Sequence, residues 1–260
     1  MQILLTVAYD GTGYAGWQRQ TNGIAVQQVM EETLARLLSQ NVTLRSASRT
    51  DAGVHAQGQR AAFFAEEMKI PLNKLPDVVN AALPPDISVS AAEVVADGFN
   101  PRHAKSKTYI YQIRNAKHPD PLTGRYSAFV KCALDIGAMR EAAAHILGRR
   151  DFSAFRAATP DNAAQSPVRE VYSCEVGSCE ISGGRQVTIT VAGNAFLYNM
   201  VRIIAGTLVY AGLGKISAGE MPGIIESGDR TRAGKTMPPQ GLTLMEVVYG
   251  NTGPNAGGRK

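Results

Sequence analysis

Within the stretch Ser46-Ala-Ser-Arg-Thr-Asp-Ala-Gly-Val-His-Ala-Gln-Gly58, three residues able to do polar chemistry fall inside seven positions: Arg49, Asp51 and His55. A carboxylate in a loop between two apolar runs can serve as a nucleophile or a general base if something holds it and something sets its charge. The same pattern, with Thr50 and Gly53 beside it, also suits an aspartate that only shapes a tight turn. A second residue bears on the choice. Arg202 is the only charge between Ala195 and Gly214, in a run that is apolar nearly all round. Such a guanidinium demands an acid, because stripping one partner from a buried ion pair costs about 3 to 5 kcal/mol. Asp51 is the natural candidate, although a salt bridge that only pins the fold would meet the same demand.

Other motifs point elsewhere and are weaker. Gly11-Thr-Gly-Tyr-Ala-Gly16 is a literal GxGxxG after an apolar run. A dinucleotide site needs a helix opening inside that motif and a strand-end acid about twenty residues on. Here Trp17 to Gly23 intervene, and Glu31 and Glu32 belong to a helical pattern, so no nucleotide cofactor is expected. The four histidines and three cysteines (Cys132, Cys174, Cys179) show no metal-ligand spacing, so no metal is expected either. Between Gly98 and Pro119 there are five basic residues, Arg102, Lys105, Lys107, Arg114 and Lys117, with no acid and with Tyr109 and Tyr111 interleaved. That combination suits RNA, whose phosphates attract cations and whose bases stack on rings; a solvated basic face is the plainer alternative.

A chain of 260 residues with 44% hydrophobic and 19% charged residues and a net charge of +5 has room for two domains and is neither disordered nor fibrous. The unpaired cysteine count fits free thiols in a reducing cytoplasm. The N-terminus lacks a secretory pattern, and the apolar run 195–214, broken by Asn199, Arg202 and glycines, reads as a buried helix, not a membrane span.

The elements that must position these residues follow from periodicity. Residues 3–9 read as a buried strand; Val26, Val29, Met30, Leu34, Leu37 and Leu38 mark one face of a helix over about 25–39. Strands are expected at 42–48, 58–65 and 86–95, with a short helix opened by Pro76 and stopped by Pro84-Pro85. The order β-α-β-β-α-β is the split βαβ arrangement. The second half repeats that grammar: a strand at 107–113, a helix capped by Asp135 and ended by Gly148, strands at 169–176 and 186–192 with a turn at Ser182-Gly183-Gly184, a long helix from about Ala195, a short one near 217–226, and a last strand at 242–249. The fold expected is α+β, two similar split-βαβ (ferredoxin- or RRM-like) domains with antiparallel sheets and a basic cleft between them. The domains expected are 1–104 and 105–250, with a loose tail at 251–260.

RTDAGVHA (49–56) resembles the signature of the tRNA pseudouridine synthase A family. YDGTGYAGWQRQ (9–20), VNAALPPDI (79–87), KTYIYQI (107–113), DFSAFR (151–156) and NAFLYNMVRIIAGTL (194–208) resemble family segments in the same order, over almost the whole chain. Ser48 departs from the pattern, which has glycine before the arginine. The resemblance implies an isomerase that converts uridine to pseudouridine at positions 38, 39 and 40 of the tRNA anticodon arm, without a cofactor, as a homodimer. It implies Asp51 as nucleophile, Arg202 as its ionic partner, and Tyr109 as the residue packed on the target base. Tyr111 is read as facing away from that task. Arg49, Lys105, Lys107, Arg156 and Leu244 are expected to contact the substrate, Leu244 by lining the uracil pocket. A noncatalytic RNA-binding protein with RRM-like domains is the alternative, though KTYIYQI lacks the glycine of the RRM signature.

Overall fold

A computed structural model describes residues 1–158 and 166–250; the tail expected over 251–260 lies outside the described residues. In chain order the elements are β1 (Gln2–Tyr9), α1 (Val26–Leu38), β2 (Arg45–Ser46), β3 (His55–Phe64), α2 (Leu75–Asn80), β4 (Ile87–Val95), β5 (Ser106–Ala116), β6 (Ala128–Val130), α3 (Ile136–Ala144), β7 (Gly148–Asp151), β8 (Val168–Ile181), β9 (Gly184–Gly193), α4 (Met200–Gly212), α5 (Met221–Ser227) and β10 (Leu242–Val248). The described residues fall into two compact units, 1–106 with 244–250, and those between 107 and 243. The chain thus returns to its N-terminal unit for the second part of β10. The class is α+β with mostly antiparallel strand pairing, as the alternation of patterns requires.

In the first unit β1 is central, antiparallel to both β3 and β4. Ile3, Leu5 and Val7 have no exposed surface, and along α1 Val26, Met30 and Leu34 are equally buried. That i, i+4, i+8 stripe is what holds α1 in place. The strand expected at 42–48 shrinks to Arg45–Ser46 for a definite reason. The Leu44 N–H donates to Glu31 Oε1 at 2.9 Å and its carbonyl accepts from Gln27 Nε2 at 3.1 Å. Side chains of α1 therefore satisfy the backbone that a neighbouring strand would otherwise pair. Beyond β2, the edge of β3 is taken by β10. Gly58 permits this, since a side chain there would overlap the Met245 carbonyl.

The second unit carries the antiparallel order β5-β9-β8-β7, with β6 parallel to β5 at Ile113–Asn115. The hairpin between β8 and β9 turns on Ser182 and Gly183 (φ 76°). Asp135 caps α3 as expected, its side chain accepting from the Ala138 N–H at 3.0 Å. Gly148 does not end that helix. Its φ of 96° suits the entry into β7, four residues past Ala144. The helix expected from Ala195 begins only at Met200, because Asn194 Oδ1 accepts from the Glu170 and Ala195 N–H groups and the Tyr198 carbonyl accepts from Ala157, holding 194–199 as a loop. No helix among the described residues is long and apolar enough to cross a membrane.

Candidate active site

Asp51 is half-buried in the loop that leads into β3, and the backbone on both sides of it is tied down. Gln59, with no exposed surface, uses its amide twice on Ser48: Oε1 accepts from the N–H at 3.3 Å and Nε2 donates to the carbonyl at 2.7 Å. Leaving such a buried amide unsatisfied would cost about 1 to 3 kcal/mol, so Gln59 strongly prefers this loop geometry. The Thr50 hydroxyl lies 2.7 Å from Tyr9 Oη, and the Thr50 carbonyl accepts from the Trp17 N–H at 3.0 Å. Just past Asp51, Val54 N donates to the Asp51 carbonyl at 3.1 Å across a turn in which Gly53 has φ 76°. Ser48 stands where the resemblance leads one to expect glycine. Its φ is not positive, since Ser39 and Asn199 are the non-glycine residues with that conformation among those described. Serine therefore fits this turn without strain.

The glycine-rich segment has a structural task beside this loop. A Cβ on Gly11 would overlap the Val54 carbonyl, standing 2.7 Å from its carbon. A Cβ on Gly16 (φ 95°) would stand 2.6 Å from the Thr50 oxygen, 3.0 Å from the Asp51 carbonyl carbon and 3.1 Å from the Ala52 nitrogen. Both glycines let 10–17 lie directly on the backbone flanking Asp51. Gly13, which a phosphate-binding loop would need for close approach, has nothing within 4 Å. His55, expected only as loop structure, is buried; its Nδ1 accepts from the Gly11 N–H at 3.1 Å and lies 3.1 Å from Asp10 Oδ1.

Three other expected substrate contacts belong to the same unit. Arg49 and Lys105 are exposed. Leu244 has no exposed surface, so contact with a base would require its neighbours to move.

In the second unit, Tyr109 is 7% exposed and packs edge-on against Phe196, ring centroids 5.3 Å apart. Tyr111 does not face away from it. Residues two apart in a strand share a face, and Lys107, Tyr109, Tyr111 and Ile113 all lie on the buried side of β5. What separates the two tyrosines is their hydroxyls. Tyr111 Oη donates to the Pro238 carbonyl at 2.7 Å, and burial pushes its pKa well above the ordinary range, opposed by the charge of Arg202. It remains a neutral donor. Lys107 is only 8% exposed, unlike Lys105. Arg156 is half-buried at the end of the short helical turn Ser153–Phe155, close enough to Arg169 that its charge helps lower the Arg169 pKa, after burial.

Arg202 sits in the first turn of α4, with Nε donating to the Met237 carbonyl at 2.8 Å and Nη1 to Asn199 Oδ1 at 2.6 Å. Its own carbonyl accepts from the Met237 N–H at 3.2 Å. The segment 234–238 can reach this far because Gly206 and Gly234 bring backbone onto backbone: a Cβ on Gly206 would stand 3.0 Å from the Lys235 carbonyl carbon. Thr207 Oγ1 then accepts from the Gly234 N–H at 2.9 Å. Sequence reasoning found Arg202 by its isolation but missed Tyr9, Gln59, Asn199 and Met237. Gln59 was visible as an amide beside the apolar end of its strand; Asn199 was visible as the polar residue one helical turn before Arg202.

Comparison with known proteins matches the chain to a family. A family model described as tRNA pseudouridine synthase covers residues 5–102 and 142–250. A protein named tRNA pseudouridine synthase A from Geotalea uraniireducens is 48% identical over 249 residues, covering 95% of this chain and 99% of its own. Proteins of the same name from Ruminiclostridium cellulolyticum and Myxococcus xanthus are 45% and 46% identical, covering 95% and 98% of this chain and 99% and 94% of theirs. The chain therefore belongs to the tRNA pseudouridine synthase family.

Proposed function

We propose that this chain isomerises uridine to pseudouridine at positions 38, 39 and 40 of the tRNA anticodon arm, with Asp51 as nucleophile and Tyr109 and Arg202 as the other catalytic groups. Family membership supports the reaction: an isomerase that forms pseudouridine in tRNA. The residue roles rest on one observation above all. The chain before Asp51 is fixed by Tyr9, Trp17 and Gln59 and the turn after it by the Val54 N–H on the Asp51 carbonyl, while Asp51 itself keeps part of its surface.

The reaction needs no redox partner or donated group. The N1 to C1′ bond breaks, the uracil turns, and C5 bonds to C1′; the proton lost from C5 is balanced by one gained at N1. The carboxylate bonds transiently to C1′ or to C6, and either route is served by a fixed, ionised aspartate. Tyr109, edge-packed on Phe196, supplies an aromatic surface for the base. A base in a stem must leave its stack first, at a cost of a few kcal/mol, which contacts from Arg49, Lys105 and Arg156 would offset. The homodimer and the cytoplasmic setting belong to the same proposal, and sedimentation equilibrium checks the first.

The test is Asp51→Asn, which changes one oxygen for a nitrogen. Pseudouridine formation should vanish while tRNA affinity stays within about tenfold, because the lost group acts in bond breaking and not in binding. Turnover by the variant overturns the assignment.

A further inference from the structure

We propose that Asn199 is a positioning residue that fixes the guanidinium plane of Arg202 without cancelling its charge. The inference rests on the catalytic reading of Arg202 given above. Asn199 has φ 60° and ψ 5°, a left-handed conformation that non-glycine residues seldom adopt, asparagine least reluctantly. It occupies the N-cap of α4, where an asparagine side chain ordinarily accepts from an amide of the first turn. It makes no such cap. Its Oδ1 instead takes the Arg202 Nη1 hydrogen at 2.6 Å, while its carbonyl serves the helix by accepting from Ile203 N at 3.0 Å.

Arg202 is itself poorly placed by local rules, since a cation in the first helical turn meets the positive end of the helix dipole. Two unfavourable choices thus converge on one group. Natural sequences break local rules chiefly where function requires it, and the object of both breaches is the orientation of this guanidinium. The Met237 carbonyl on Nε is a second anchor. Both acceptors are neutral oxygens, so neither bond neutralises the charge that chemistry would use. A long side chain that would otherwise have to be ordered during the reaction is ordered beforehand.

The decisive variant is Asn199→Gly, because glycine accepts the left-handed backbone and deletes only the side-chain acceptor. Its kcat should fall by about tenfold or more, with KM for tRNA and the melting temperature little changed. Asn199→Asp keeps the backbone conformation and an acceptor but sets a negative charge against the guanidinium, so it too should lose kcat. Arg202→Lys, which cannot make both bonds, should also be slow, and adding Asn199→Gly to it should cost at most about twofold more. Wild-type kcat in Asn199→Gly or in Asn199→Asp, or losses that multiply in the double variant, would each overturn the inference. Failure of the underlying reading looks different: Arg202→Lys would then itself turn over at the wild-type rate.

Discussion

The hydroxyl of Tyr9, at the end of β1, lies 2.7 Å from that of Thr50, the residue before Asp51. The central strand of the first unit is thereby tied to the candidate nucleophile's own loop. Tyr9→Phe removes the tie and keeps the ring, which packs 5.8 Å from Trp17. Loss of one buried hydrogen bond should lower stability by about 1 kcal/mol, and turnover should fall severalfold because the carboxylate is less well aimed. Urea denaturation reads the first effect and single-turnover kinetics the second. Unchanged turnover would mean that Tyr9 serves packing alone.

Two glycines of one motif should behave oppositely. Gly16 combines φ 95° with a 2.6 Å approach of its Cβ position to the Thr50 oxygen, whereas Gly13 has open space and no positive φ. Gly16→Ala should therefore cost at least about 1 to 3 kcal/mol and most of the activity, because relief of the clash must displace Thr50, Asp51 or Ala52. Gly13→Ala should stay within about 0.5 kcal/mol of wild type and remain active. Thermal melts of both variants make the comparison. A dinucleotide loop would show the reverse sensitivity at Gly13.

These glycines show what was legible in the sequence and what was not. Strand β1, the stripe of α1 and the Asp135 cap could be read directly, because each depends on residues a few positions apart. The reaction class was readable from RTDAGVH together with the other family-like segments. Close backbone approach between distant segments was not, since GxGxxG looks the same whether the glycines face a pyrophosphate or the Val54 carbonyl. For the same reason 42–44 was read as strand: nothing local announces that Glu31 and Gln27 will claim the Leu44 peptide. The late start of α4 has a similar cause, in the hold of Asn194 on Glu170, 24 residues away. The misplacement of Tyr111 differs in kind; its period-two repeat with Tyr109 was there to be read.

Thiol chemistry tests the second unit. Cys132 and Cys179 are exposed, while burial pushes the Cys174 thiol from 9.0 up to about 12, with Glu175 adding to the rise. At pH 8 an aromatic disulfide reagent should titrate the two exposed thiols quickly and the third only after unfolding. The sign of the pH effect follows. Because the unfolded chain releases the Cys174 proton first, the stability this group contributes is full below about pH 9 and declines from there toward pH 12. Cys174→Ala should flatten that decline in denaturation curves collected across the range. Three fast thiols at pH 8 would contradict the buried placement.

Lys105 and Lys107, alike in sequence, should separate in RNA binding. Lys105 is exposed, with its backbone N–H held by the Val248 carbonyl at 2.8 Å, so its ammonium can meet a phosphate while its main chain stays fixed. Lys107 is 8% exposed, on the face of β5 that carries Tyr109. A lysine that neutralises a phosphate releases a condensed counterion, so losing it lowers the slope of log affinity against log salt by a little under one for a duplex. Lys105→Gln should show that change, weakening tRNA binding at low salt and leaving the melting temperature intact. Lys107→Gln should instead leave the salt slope near the wild-type value and act on stability or kcat, since a buried ammonium reaches no bulk counterion atmosphere. Binding titrations at several salt concentrations decide between them, and a flattened slope for Lys107→Gln would place that side chain on the RNA path after all.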